Sequence, residues 1–311
     1  MIEIDEKRIK KIAKFFKDNK KFKPFNFTGK YLPEVGHPLA LDFFFVLSKH
    51  QFGFWYNNSV GYERPMIVEI EGEKLKGSDF IWRVGMRMIK ERPEFFKEKY
   101  QSNITLDILN QLWRCDKGFC PLPTITAHLI LMQTYGKEMI ANNFTPLKLV
   151  EEAKKEKAPS IYLRDSLRKI GGYKEDPLSK KINMLIMILQ NRPEKFIKKE
   201  DIPPIIDYHI QRLSLRTGMV KISSVKLRDK IIHQRFVLRD EEMDIRNCIF
   251  GAIQMLKTMA KVGTPEIDWL FFQGRNYCPE MTRPECDRCL LSDYCEKNIE
   301  LFQPVYRTTF Y

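Results

Sequence analysis

Four cysteines near the end of the chain, Cys278, Cys286, Cys289 and Cys295, follow the spacing C-x7-C-x2-C-x5-C. Thiolates are soft ligands for zinc and iron, and four from one short segment are enough to surround a metal centre. A C-x2-C pair brings two sulfurs to the centre from a single turn, and the wider gaps wrap the rest of the shell. Spacing alone leaves a structural zinc site and an iron–sulfur cluster both open. The chain has seven cysteines and starts without a basic stretch followed by an apolar run. A reducing compartment is therefore expected, with thiols or metal ligands in place of disulfides. Cys115, Cys120 and Cys248 read as ordinary buried thiols.

A second group of chemically able residues lies upstream. Asp207, Tyr208 and His209 open an apolar-periodic segment that continues through Arg212 and Arg216. An aspartate there either caps a helix or presents a carboxylate that the positive end of the helix dipole keeps ionised. His209 reads as a support of such a site and not as its acid–base group. Further upstream, Lys180 and Lys181 open a strongly apolar segment.

The residues around the cysteines carry a resemblance. Gly274-Arg275 precedes the first cysteine, Pro284 stands two before the second and Asp293 two before the last. This resembles the cluster loop of endonuclease III and its adenine-glycosylase relatives, in the helix-hairpin-helix DNA glycosylase superfamily. The segment from Ile206 to Val220 resembles the catalytic segment of the same superfamily, in the right order before the cysteines. The resemblance implies a [4Fe–4S] cluster on the four cysteines and Asp207 as the catalytic carboxylate. It places Tyr208, His209, Arg212 and Arg216 as substrate-binding residues, with Lys181 (or Lys180) in the position of the lysine that attacks the sugar in bifunctional members.

The implied activity is N-glycosylase action of the base-excision-repair type on DNA. Breaking an N-glycosidic bond builds positive charge on the sugar, which a carboxylate stabilises. Two departures stand out. The hairpin's Gly-x-Gly is absent, Gly171-Gly172 standing in its place, and Lys181 precedes Asp207 by 26 residues (207 − 181), so lyase activity is not supported by the pattern. The stretch between Cys278 and Cys286 holds Arg283 against Glu280 and Glu285, a net −1 that weakens any phosphate contact there. The aromatic run with Phe43-Phe44-Phe45 and Phe52-Gly53-Phe54-Trp55 loosely resembles the queuosine-nucleotide N-glycosylases, which place a tyrosine after the catalytic aspartate, as Asp207-Tyr208 does. An alternative substrate is thus a free modified nucleotide. A third reading is a non-catalytic iron–sulfur protein that binds nucleic acid.

These groups must be positioned by helices. Hydrophobic residues make up 43% of 311, ample for a packed core, and glycine is sparse at 15. An all-α architecture is expected, with two helical subdomains flanking a cleft and the cluster loop at the C-terminal end. Residues 6–20 read as a basic amphipathic helix burying Ile9, Ile12, Ala13, Phe15 and Phe16. Residues 66–77 read as a hairpin turning at Glu71-Gly72. Helices are expected over 80–90, 93–100, 106–113, 125–139, 161–170, 179–189, 205–215 and 241–262. Asp176 or Ser179 would cap the helix that carries Lys181. The polar residues 151–160 read as a linker, dividing an N-terminal domain (1–150) from a glycosylase-like domain (161–273) and the cluster loop and tail (274–311). The net charge of +13 suits a polyanionic partner. No segment reads as membrane-spanning, and a cytoplasmic location is expected.

Overall fold

The computed structural model describes residues 1–19 and 22–311. Among these the chain is mostly helical. In chain order, β1 (Ile2–Ile4) leads into α1 (Glu6–Asp18), α2 (Ala40–Ser48) and the short strands β2 (Trp55–Asn57), β3 (Tyr62–Pro65), β4 (Ile67–Ile70) and β5 (Glu73–Lys76). Then come α3 (Gly77–Glu91), α4 (Glu98–Asn103), α5 (Leu106–Leu112), α6 (Ile125–Ala141), α7 (Pro146–Lys155), α8 (Pro159–Leu167), α9 (Lys180–Asn191) and α10 (Tyr208–Thr217). The strand β6 (Val220–Ile222) precedes α11 (Val225–Ile232), α12 (Arg239–Ala260) and α13 (Thr264–Gly274). No helix among the described residues is long and apolar enough to cross a membrane.

The chain forms two compact units. The first comprises residues 1–25, 57–64 and 201–307, and the second 26–56, 65–200 and 308–311. The polar residues 151–160, expected as a linker, instead finish α7 and open α8 inside the second unit. Their polarity marks an exposed helix end, since Leu149, Val150 and Ala153 on the same helix are buried.

In the first unit, α1 buries the five apolar residues its periodicity predicts and packs on α12. Lys20, the last residue of that expected helix, lies outside the described residues. β1 pairs antiparallel with β6, Ile2 opposite Ile222 and Ile4 opposite Val220. Strands this short carry no readable alternation, and the pairing joins segments far apart in sequence, so neither was anticipated. α10 crosses the interior, with every residue from His209 to Thr217 buried. It stops at Gly218, whose φ of +82° suits glycine and whose added Cβ would meet the Glu296 carboxylate.

The second unit is built on α2, whose run Phe43 to Leu47 is fully buried. Apart from Asp42, which lies 3.4 Å from Lys97, and the buried Ser48, this short helix is apolar and has little solvent face to present. α4 and α6 approach so closely at Gly136 that a Cβ there would strike the Ser102 backbone nitrogen. The expected hairpin is β4–β5, with Glu71 and Gly72 both at positive φ, as a two-residue turn between twisted strands requires. Asp116 accepts from the amides of Glu71 and Gly72 at 2.7 and 2.9 Å, which gives the Cys115–Cys120 loop a structural duty. Asp176, not Ser179, caps α9, accepting from the Lys180 amide at 2.7 Å.

Candidate metal centre and active-site helix

The four spaced cysteines line one cavity, together with Leu213, Arg216 and Leu291. Its empty volume is about 390 Å³, part of it continuous with solvent. Cys286 begins a short 3-10 turn and the Cys289 amide donates to the Cys286 carbonyl at 3.1 Å, the single-turn presentation that C-x2-C promises. Among the described residues no three His, Cys, Asp or Glu side chains are arranged to hold a single ion. The thiols stand around a space.

Two N–H groups already point at sulfur. Arg216 Nη1 donates to Cys278 Sγ at 3.2 Å and the Lys297 amide to Cys295 Sγ at 3.2 Å. Burial pushes the Cys295 thiol up to about 11 and raises Cys289 too, the neighbouring thiols adding to both. The Cys289 and Cys295 thiols thus resist ionisation by themselves, and a bound cation reverses that balance by deprotonating them. An all-sulfur donor set around one cavity, with N–H groups on two of the sulfurs, fits an iron–sulfur cluster.

α10 ties this loop down. Arg212 Nε donates to the Cys278 carbonyl at 3.3 Å and Arg212 Nη1 to Gln303 Oε1 at 2.9 Å. Arg216 donates to the carbonyls of Leu301 at 2.7 Å and Pro279 at 2.9 Å besides its bond to sulfur. Both guanidinium groups are buried. The structure therefore places Arg212 and Arg216 on the cysteine loop. His209 Nδ1 lies 3.0 Å from Arg212 Nη2 and 3.9 Å from Glu280.

Glu280 itself turns inward. It accepts from Tyr62 Oη at 2.5 Å and lies 3.5 Å from Arg212 Nη1. Glu285 pairs with Arg288 at 2.5 Å. Both acidic charges of the first cysteine gap thus have cationic or hydrogen-bonding partners, while Arg283 is exposed. Counting charges along the chain could not show this.

Asp207 sits at the N-cap of α10, half-buried, with Oδ1 accepting from the Ile210 amide at 2.8 Å. It stands nine residues before Arg216 on the same helix, about 13 Å along the axis at 1.5 Å per residue. Tyr208 packs against His209 with ring centroids 4.0 Å apart. Burial pushes the Tyr208 phenol well up, and the carboxylates of Glu280 and Asp207 add to it.

Lys181 belongs to the second unit and is 2% exposed. Its Nζ lies 4.4 Å from the Phe52 ring centroid and has no hydrogen-bond partner. Burial lowers its pKa to about 7. Lys180 is buried too, with Nζ donating to the Gln51 carbonyl at 3.0 Å. Sequence reasoning missed the rest of this core. Lys49, His50 and His128 are fully buried, and His50 and His128 face each other through Nδ1 atoms 3.1 Å apart. Phe52 stacks on His128 at 4.0 Å. The only signal was a Lys-His pair following an aromatic run, and no spacing connects it to His128. Phe54 and Trp55, at the end of the aromatic run, are both buried.

No protein-family model matches the chain, and no curated protein is significantly similar to it.

Proposed function

We propose that the protein is an N-glycosylase of the base-excision type, releasing a damaged or modified base from DNA. A [4Fe–4S] cluster on Cys278, Cys286, Cys289 and Cys295 would hold the C-terminal loop in shape, which is the chemistry that group supplies. The observation that carries this reading is α10, which has Asp207 at its first turn and two buried arginines bonded to the loop of the four thiols. A fold element shared by carboxylate and thiol loop is what the two motifs require together.

In this reading Asp207 faces the sugar. As the C1′–N bond breaks, its electron pair leaves with the base and cationic character develops on the sugar, where a fixed carboxylate stabilises it. Water then adds to C1′ and releases a proton. The target nucleotide leaves the stack to be reached.

Lys181, the lysine of the lyase position, is buried in the second unit, and no lyase step is assigned to it.

The test uses the anaerobically purified protein against damaged duplexes and modified free nucleotides. Asp207→Asn keeps the helix cap, because asparagine caps as well as aspartate, and removes the charge. A loss of about 10²–10³-fold in base release is expected. Unchanged release would eliminate Asp207 from the chemistry. Release from duplex that falls steeply with salt supports a polymer substrate.

A further inference from the structure

Three of the four thiols have evident supports: Cys278 hangs from Arg212 and Arg216, and Cys286 and Cys289 share one turn. Cys295 ends a five-residue gap with no helix or strand. What positions it lies at the opposite end of the chain. Phe15 meets the Tyr294 ring edge-on at 5.8 Å, and Tyr294 Oη donates to Asp18 Oδ2 at 3.0 Å. Arg8 donates to the Tyr294 carbonyl at 3.2 Å and to Glu296 Oε1 at 2.8 Å. Arg8, Phe15 and Asp18 recur at i, i+7 and i+10, one stripe of α1. Lys221 reinforces the contact, 2.6 Å from Asp5 and 3.9 Å from Glu296. On the other side, Glu296 and Asn298 donate their amides to the carbonyls of Thr217 and Arg216 at the end of α10.

Resting on the cluster reading above, we propose that α1 is a clasp for the metal-ligand loop. It grips both chain neighbours of Cys295 and so positions the fourth thiolate. An irregular segment otherwise samples many backbone states, and fixing its two flanks removes that freedom before the metal arrives. The Arg8–Glu296 pair is well suited to the task. Its side chains are 17% and 24% exposed, so water screens it less than a fully exposed pair.

The experiment measures the rate at which a chelator strips iron from the purified full-length holoprotein, with circular dichroism as the check on folding. Arg8→Glu, which sets two carboxylates against each other, should release iron about tenfold faster than wild type, and Arg8→Ala about fivefold faster. The exchange Arg8→Glu with Glu296→Arg should return the rate to within about twofold of wild type. Tyr294→Phe keeps the ring, loses the bond to Asp18 and serves as the milder variant, with release about twofold faster. Wild-type release rates in Arg8→Ala and Tyr294→Phe, with helicity intact, overturn the clasp. A wild-type protein that contains no iron overturns the cluster reading itself, a different failure that is visible before any variant is made.

Discussion

In the first unit Arg212, Arg216, Arg246 and Lys257 are all buried, and each is anchored. Arg246 donates twice to the Ile206 carbonyl, and Lys257 reaches the Ile202 carbonyl at 2.7 Å and Asp201 at 2.8 Å. In the second unit the Lys181 amine, His50 Nε2 and His128 Nε2 are buried with no hydrogen-bond partner. The difference is one of residue type and position, not of unit. Arg192, in the second unit, bonds to the carbonyls of Phe27 and Pro33 and to Glu194. A guanidinium keeps its charge and offers five fixed donors, so it is tied down wherever it is buried. An amine or imidazole can give up its proton instead. The first arrangement stabilises a loop. The second holds basic nitrogens in a state that burial makes unfavourable to protonate, which costs stability.

The contrast is broken most directly at Arg216. Arg216→Ala leaves the Leu301 and Pro279 carbonyls and the Cys278 sulfur without their donor, and a loss of roughly 3–5 kcal/mol is expected in urea unfolding, together with lower iron content. If the loss is under about 1 kcal/mol, the anchoring view is wrong.

Lys181→Met sharpens the other side. Replacing a buried amine that has no hydrogen-bond partner with an apolar side chain of similar length should stabilise the protein by about 2 kcal/mol at pH 7. The pH dependence has a definite sign. The lysine is charged in the unfolded chain up to about pH 10.4, whereas in the folded protein its pKa is lowered by burial to about 7. Between these values the unfolded chain binds the extra proton, so wild-type stability rises with pH across that window and the penalty is fullest below it. That portion of the rise should vanish in Lys181→Met. Parallel pH profiles for the two proteins would show that the amine is not held neutral.

Asp207→Asn is expected to shift stability by less than about 0.5 kcal/mol, since the cap survives. Any larger change would mean that the carboxylate's charge is structural. The smallest effect belongs to a surface cation. Arg228 pairs with Glu300 at 2.7 Å, with both side chains about two-fifths exposed. Arg228→Ala should cost roughly 0–0.5 kcal/mol and calibrate the scale against which Arg216 is judged.

Much of the helical layout was legible. Helices expected over 80–90, 125–139, 179–189 and 241–262 are found as α3, α6, α9 and α12 to within a few residues, because apolar periodicity and cap residues act within a few residues of themselves. α7, α11 and α13 were not anticipated. α7 was hidden by its lysine-rich end, and Trp269 and Phe272 of α13 sit between the two motifs that drew attention. The expected helix over 205–215 starts later, at Tyr208, since Asp207 takes the cap and Pro203-Pro204 keeps the chain extended before it.

What the chain determined locally is the C-x2-C turn, the carboxylate at a helix start, the Glu71-Gly72 hairpin and the apolar stripe of α1. Each depends on residues within one or two turns of one another. Tertiary structure alone decided that Lys181 is buried and poor in charge, that Arg212 and Arg216 serve the cysteine loop, that Glu280 points inward, and that α1 meets the residues beside Cys295. Burial and electrostatic partnership depend on what folds against a residue, and those partners lie tens to hundreds of positions away.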